Sequence, residues 1–289
     1  MSNYINDMFI NIKDYINEII ENILKNNKLI NNRLFKDITI RNIDFKKKYY
    51  FGVVITLTNK QILNELFFKS LNLNVNYNDI IFCFINNYPK KNYKKVLDSL
   101  QLNYIYLDYQ NNNNNEHVHV LNYYIGCELL KNNCNLLSIL SSKTWINQKY
   151  FITAEKLSNY FDMNKNIFSL FQCSSLNDKL LSKNNIDGDI ILKKNKINKI
   201  SLFFNSKIYN EVLKDYFIGV KNKEFDIKDW NKEVSSYCVK NNINLNITNE
   251  SFIQYLNFQS KNEELKKDIY TFLLNPNNSK SIDFEHNKE

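Results

Sequence analysis

Over residues 4–25, Ile5, Phe9, Ile12, Ile16, Ile19 and Ile23 recur at spacings of three and four, which predicts an amphipathic helix. A polar, basic connector follows over 26–48. The pattern then changes. YYFGVVITL (49–57) is a dense β-branched and aromatic run, which predicts a central strand buried on both faces. KQILNELFFKSLNL (60–73) returns to helical spacing through Ile62, Leu66, Phe67 and Leu71. DIIFCFI (79–85) predicts a second buried strand, KNYKKVLDSL (91–100) a helix and NYIYLDY (103–109) a third strand. A polar loop with a run of Asn (111–115) leads to a helix in HVLNYYIGCELLKNN (119–133) and a fourth strand, NLLSIL (135–140).

Beyond Trp145 the pattern predicts a helix over 148–161, short apolar pieces at 167–173 and 189–194, and a longer apolar stretch over 200–217. A second amphipathic helix (228–242) precedes two closing strands, INLNIT and SFIQYLNF. Strands that alternate with helices of about ten residues imply a parallel, doubly wound α/β sheet. With no repeat and no linker, the expected organisation is an N-terminal helix and connector (1–48), one main domain (49–274) and a polar, disordered tail (275–289).

Composition narrows this picture. Only 4 Gly and 2 Pro among 289 residues argue against a sandwich of many tight turns. The abundance of Asn, Lys and Ile reads as a coding bias, so the Asn runs carry little meaning. A net charge of +8 suits polyanionic partners such as phosphorylated ligands, anionic lipid or nucleic acid. Cys83, Cys127, Cys134, Cys173 and Cys238 form no C-x-x-C pair and suit reduced residues of an intracellular, cytoplasmic protein. Asp7, Asp14, Glu18 and Glu21 exclude a signal-peptide core, and the longest apolar runs are too short to cross a bilayer. Peripheral contact with a membrane surface stays open.

The stretch that carries chemistry is CNLLSILSSKTWI (134–146), a buried strand that stops at Ser141-Ser142-Lys143 and restarts with Trp145. Other features weigh less. Asp187-Gly188-Asp189 reads as a surface turn. His117 and His119 would share a face only on a strand, and no third metal ligand is nearby. KKNYKK (90–95) has a Tyr among basic residues, yet a solvated helix face accounts for it better than nucleic acid does. No phosphate-binding P-loop or G-x-G-x-x-G run occurs.

In its order of elements, residues 49–258 resemble the GT-A fold of nucleotide-sugar-dependent glycosyltransferases, family 2 in particular. VVITLTNK is similar to that family's opening strand and its Thr-containing turn. IIFCFINN resembles the second strand, which delivers a polar residue to the base or ribose. LNYYIGCELL resembles the helix before the strand that ends in the acidic D-x-D turn, and NLLSILSSKTWINQKYF aligns with that strand. IKDWNKEVSSY is similar to the acidic-aromatic motif that opens a late helix, and SFIQYL to a late strand that often ends in His.

The resemblance implies a Rossmann-like, mostly parallel sheet flanked by helices, and transfer of a sugar from a nucleotide sugar to a glycan, protein or lipid acceptor. It implies Thr56, Asn86 and Asn87 at the nucleotide, Ser141, Ser142 and Lys143 at the diphosphate, and Asp229 as the general base of an inverting reaction. The chain departs from the family at the metal. Two hydroxyls and an ammonium replace the acidic turn, and Tyr255 stands where the late His is usual. A divalent metal (Mn or Mg) is therefore disfavoured. Either Lys143 takes over the diphosphate charge, or catalysis is lost and the fold survives as a binding module.

Overall fold

The computed structural model describes residues 14, 16–18, 20–22, 35–72, 77–88, 92–109, 116–171, 180–186, 188–195, 201–221 and 230–256. Four parallel strands form the centre: β2 (Tyr49–Leu57), β3 (Ile80–Asn86), β4 (Asn103–Tyr109) and β5 (Cys134–Ser141). Their connections are α1 (Gln61–Asn72), α2 (Lys94–Ser99) and α3 (Glu116–Leu130). A ten-stranded sheet runs in the order β1-β4-β3-β2-β5-β10-β7-β11-β9-β8. Here β1 is Phe35–Arg41, β7 Asn166–Ser169, β8 Leu180–Ile186, β9 Asp189–Lys194, β10 Ser201–Asn205 and β11 Asn244–Thr248. Only β1, β10 and β9 run against the rest, so the sheet is mostly parallel.

Strand alternation divides the core between the two faces of the sheet. Phe51, Val53, Ile55 and Leu57 of β2 face α1, α2 and α4 (Tyr150–Tyr160) through Phe67, Leu97 and Leu157. Val54 of β2, with Ile81, Cys83 and Ile85 of β3, faces α3. The same cluster takes in the helical stretch α5 (Ser206–Ile208, π-helical Tyr209–Leu213 and Lys214–Lys221) and α6 (Trp230–Lys240). A Cβ at Gly126 of α3 would fall 2.3 Å from Val54 Cγ1, so the missing side chain lets this helix press onto the central strand. Ile16 and Ile20 of the N-terminal helical segment are buried in this second cluster.

Several expectations need correction. Within the stretch expected to be a connector, Phe35–Arg41 is a strand that pairs antiparallel with β4, from Asp37↔Asp108 to Arg41↔Tyr104. The segment LLSKNNI is the edge strand β8, with six of its seven residues exposed. Residues 116–120 are helical, which removes the extended backbone that the paired reading of His117 and His119 required. The Asn run and the tail lie outside the described residues. The cysteines at 83, 127, 134 and 238 are free and buried, and burial pushes Cys134 and Cys238 up to about 12. No helix among the described residues is long and apolar enough to cross a membrane.

Candidate functional site

Open α/β sheets bind ligands beyond the carboxyl ends of their strands, and the sequence-derived residues gather at that edge. Register pairs Thr56 of β2 with Ser141 of β5, and Leu57 with Asn86 of β3. Alternation then separates them. Thr56, Ser141 and Asn87 belong to the α3 side of the sheet. Asn86 and Ser142 belong to the α1 side. Among the described residues, three buried side-chain polar atoms lack a hydrogen-bond partner: Thr56 Oγ1, Asn87 Nδ2 and Thr248 Oγ1. Two of the three are at sequence-derived nucleotide positions on the α3 side.

Helix α3 closes over this side. Asn122 Nδ2 donates to Asn87 Oδ1 at 3.0 Å, and the Tyr109 hydroxyl donates to Asn122 Oδ1 at 2.7 Å. The next residue, Tyr123, donates to the Leu140 carbonyl at 3.5 Å and lies beside Thr56 and Tyr255. Burial raises the Tyr123 phenol well above its ordinary value, with the Thr56 side chain opposing. A neutral phenol is thus held at the end of β5, with its single proton directed at the Leu140 carbonyl.

On the α1 side the polar groups are bonded inside the protein. Ser142 is fully buried, donates to Asn64 Oδ1 at 2.6 Å and accepts from the Thr58 amide at 3.0 Å. Asn64 Oδ1 also accepts from Thr58 N, and its Nδ2 donates to the Thr58 carbonyl and the Tyr93 hydroxyl. This amide clips the loop after β2 to the turn after β5. Asn86 Nδ2 donates to Tyr106, Asp108 and the Tyr88 carbonyl, and its Oδ1 accepts from Tyr88 N. Asp108 is 1% exposed and paired with Lys36 at 2.9 Å, yet its carboxyl is raised because desolvation outweighs that pairing.

Lys143 sits at the tip of the turn, with its amide donating to Ser141 Oγ at 3.2 Å and its carbonyl accepting from Leu256 N at 2.6 Å. The strand β6 (Thr144–Ile146) pairs antiparallel with β12 (Ile253–Tyr255), setting Tyr255 opposite Thr144. The two departures from the family pattern are therefore neighbours in space. Hydroxyls, an ammonium and a phenol offer no hard anionic oxygen at this turn, so these residues do not fit a divalent cation.

Asp229 lies outside the described residues; the helix it would precede, α6, opens at Trp230. Gly188 forms a turn between β8 and β9 with φ +91°, and Asp189 pairs with Lys156 at 2.6 Å. In KKNYKK, Tyr93 is buried against Asn64 and Lys94 pairs with Asp37. The sequence reading missed Asn64, Tyr109 and the site contacts of Asn122 and Tyr123. Only LNYYIG signalled the latter pair, and nothing local marked Asn64.

No family model and no curated protein sequence matches this chain. Among solved structures, it is similar to S. aureus TarS 1–349 at 9% identity, with a TM-score of 0.50 over 72% of this chain. TarS 1–349 in complex with UDP-GlcNAc gives 8% identity and a TM-score of 0.50 over 73% of this chain. This chain covers 60% of the length of either structure. The apo-form glycosyltransferase GlyE of Streptococcus pneumoniae TIGR4 matches at 12% identity, covering 69% of this chain and 45% of GlyE, with a TM-score of 0.41. At these identities the TarS match establishes the fold alone, a GT-A-like arrangement.

Proposed function

We propose that this chain is a glycosyltransferase that moves a sugar from a nucleotide sugar to an acceptor with inversion, and that it works without a carboxylate-held metal. The observation that supports this most is Asn87 Nδ2, a buried polar atom without a hydrogen-bond partner among the described residues, at the carboxyl end of a central strand and on the same side of the sheet as Thr56, whose side chain meets the Tyr123 phenol. Buried polar groups are almost always satisfied, and an orphan at the ligand edge of an open α/β sheet suits a ligand that completes it.

In this reading Thr56 and Asn87 contact the nucleoside. Ser141 and Lys143 hold the diphosphate, while Asn86 and Ser142 set the shape of the loops around it. Asp229 is the base. The acceptor oxygen attacks the anomeric carbon as the bond from that carbon to the diphosphate oxygen breaks. The acceptor proton passes to Asp229, and the nucleoside diphosphate leaves with its added charge facing Lys143. TarS in complex with UDP-GlcNAc lends support, as a protein of similar fold with a nucleotide sugar bound. The lack of any carboxylate in Ser141-Ser142-Lys143 favours a second reading, a catalytically silent GT-A-like module.

A thermal-shift and calorimetric panel of UDP-, GDP- and CMP-sugars, with and without Mn²⁺, tests the proposal. Stabilisation by one donor, indifferent to Mn²⁺ and reduced about tenfold in affinity or more by Lys143→Ala, is the expected result. Asp229→Asn should keep donor binding and lower transfer by about a hundredfold or more. Donor binding with no transfer to any acceptor would favour the silent module. No response to any nucleotide would overturn the proposal and favour the silent module.

A further inference from the structure

Lys36 is the extra residue of a β-bulge. Phe35 pairs with Tyr109 and Asp37 with Asp108, so two steps of β1 match one step of β4. Bulges re-aim side chains, and this one brings Lys36 and Asp37 together to the end of β4. Lys36 Nζ lies 2.9 Å from Asp108 Oδ2, while Lys94 of α2 pairs with Asp37. Asp108 Oδ1 accepts from Asn86 Nδ2 at 3.0 Å, as does the Tyr106 hydroxyl. Asn86 also grips Tyr88 at both ends: Oδ1 accepts from its amide at 3.1 Å and Nδ2 donates to its carbonyl at 3.2 Å. The residue between them is Asn87, whose Nδ2 has no partner among the described residues.

Charge sets the direction of this chain of bonds. An ionised carboxylate only accepts, so it holds Asn86 Nδ2 towards β4 and leaves Oδ1 for the Tyr88 amide. Reversed, the Asn86 amide would set its oxygen against the carboxylate and its nitrogen against the Tyr88 N–H. Protonation of Asp108 lifts the first of these penalties, because the acid then donates. Burial pushes the Asp108 carboxyl up, and Lys36 opposes that push, with Asn86 on the same side and Asp37 against it. A buried ion pair is weak support for stability, and this one stands a single hydrogen bond from the turn that carries Asn87. We infer that Lys36 and Asp108 are positioning residues for nucleotide binding: the ion pair holds the Asn86 amide in one orientation, and that amide holds the turn that presents Asn87 to the ligand. This rests on Asn87 contacting the nucleoside. It gives strand β1, which precedes the four central strands, a part in the site.

Calorimetry of UDP, GDP and CDP on the full chain, at about pH 6 and about pH 8.5, tests this. Lys36→Met keeps the apolar stem and removes the charge; Lys36→Arg keeps the charge. For the nucleotide that wild type binds tightest, Lys36→Met is expected to weaken binding about tenfold at the lower pH, and Lys36→Arg about threefold or less. Without Lys36 the Asp108 carboxyl stays protonated to higher pH. Its ionisation at the higher pH should therefore shrink the loss in Lys36→Met to about threefold or less. Lost attraction between Lys36 and a phosphate would instead persist at both pH values. A thermal melt of each variant confirms folding, and Lys36→Gln repeats the test should the methionine variant not fold. Wild-type affinity in Lys36→Met, or a loss equal at both pH values, overturns the inference and leaves the proposed function standing. If none of the three nucleotides binds wild type, both fall.

Discussion

Gly126 shows how one missing side chain sets the distance between a helix and the sheet. In a helix interior Ala is usually better than Gly by about 1 kcal/mol. Here an added Cβ would meet Val54 Cγ1 at 2.3 Å and Cγ2 at 2.7 Å, on a β-branched residue held in a central strand. Overpacking of that kind costs about 1–3 kcal/mol, so it wins over propensity. Gly126→Ala should lower stability in urea by roughly 1–2 kcal/mol. Adding Val54→Ala should restore part of the loss, giving a favourable coupling in the double-mutant cycle. Asp108 makes a second test at this scale. Its folded carboxyl is raised, with desolvation as the main cause, Lys36 and Asn86 opposing it and nearby Asp37 adding to it. Below the ordinary carboxylate value ionisation adds nothing; as pH rises through the raised folded value, ionisation costs stability. Asp108→Asn carries no such cost. Its stability relative to wild type should therefore increase from about pH 4 to about pH 8, measured by denaturant titration at both ends.

At the scale of elements, the Asn64 clip joins the loop after β2 to the turn after β5. Asn64→Ala would strand the Thr58 carbonyl and would also remove the partner of Tyr93 and Ser142 hydroxyls, all in a buried setting. The expected loss is about 3 kcal/mol, against about 1 kcal/mol for Ser142→Ala, after which Thr58 N still has Asn64 Oδ1. Non-additivity of the pair in urea unfolding checks that they act as one clip. The central elements were legible because strands buried on both faces read as unbroken apolar runs: 49–57, 79–85, 103–109 and 135–140 all became neighbours in the sheet. Strands β1 and β8 were not, because their partly or wholly exposed faces carry polar residues such as Asp37, Lys183 and Asn184 and leave no apolar signature. The site was legible only where a residue falls at a strand end. Which side of the sheet each of Thr56, Asn86, Asn87, Ser141 and Ser142 serves depends on strand parity, and their partners come from helices far away in sequence.

For the whole molecule, burial is concentrated at the centre of the sheet and thins towards its edges. Every residue of β3 is buried, as are eight of nine in β2, and both strands have parallel neighbours on either side. Among the described residues strand β8 has one neighbour, β9, and it exposes Leu180 and Leu181 at 51% and 46%. Local opening free energies follow buried apolar contact, so one chain should hold units of different stability. Native-state hydrogen exchange should find the amides of β2, β3 and β5 exchanging only through global unfolding, with a denaturant dependence equal to the equilibrium slope. Amides of β8 that bond to β9 should exchange through a local opening lower in free energy by about 2 kcal/mol or more, nearly independent of denaturant. A ligand bound at the carboxyl edge would stabilise the central unit by roughly 2.7 kcal/mol at a hundred times its dissociation constant, and leave the β8 opening unchanged. That contrast separates a ligand held away from β8 from one that contacts β8 on a chain of net charge +8, since a ligand spanning β8 would raise the free energy of its local opening as well. Equal protection of β8 and β2 on adding nucleotide would count against the site at the sheet's centre.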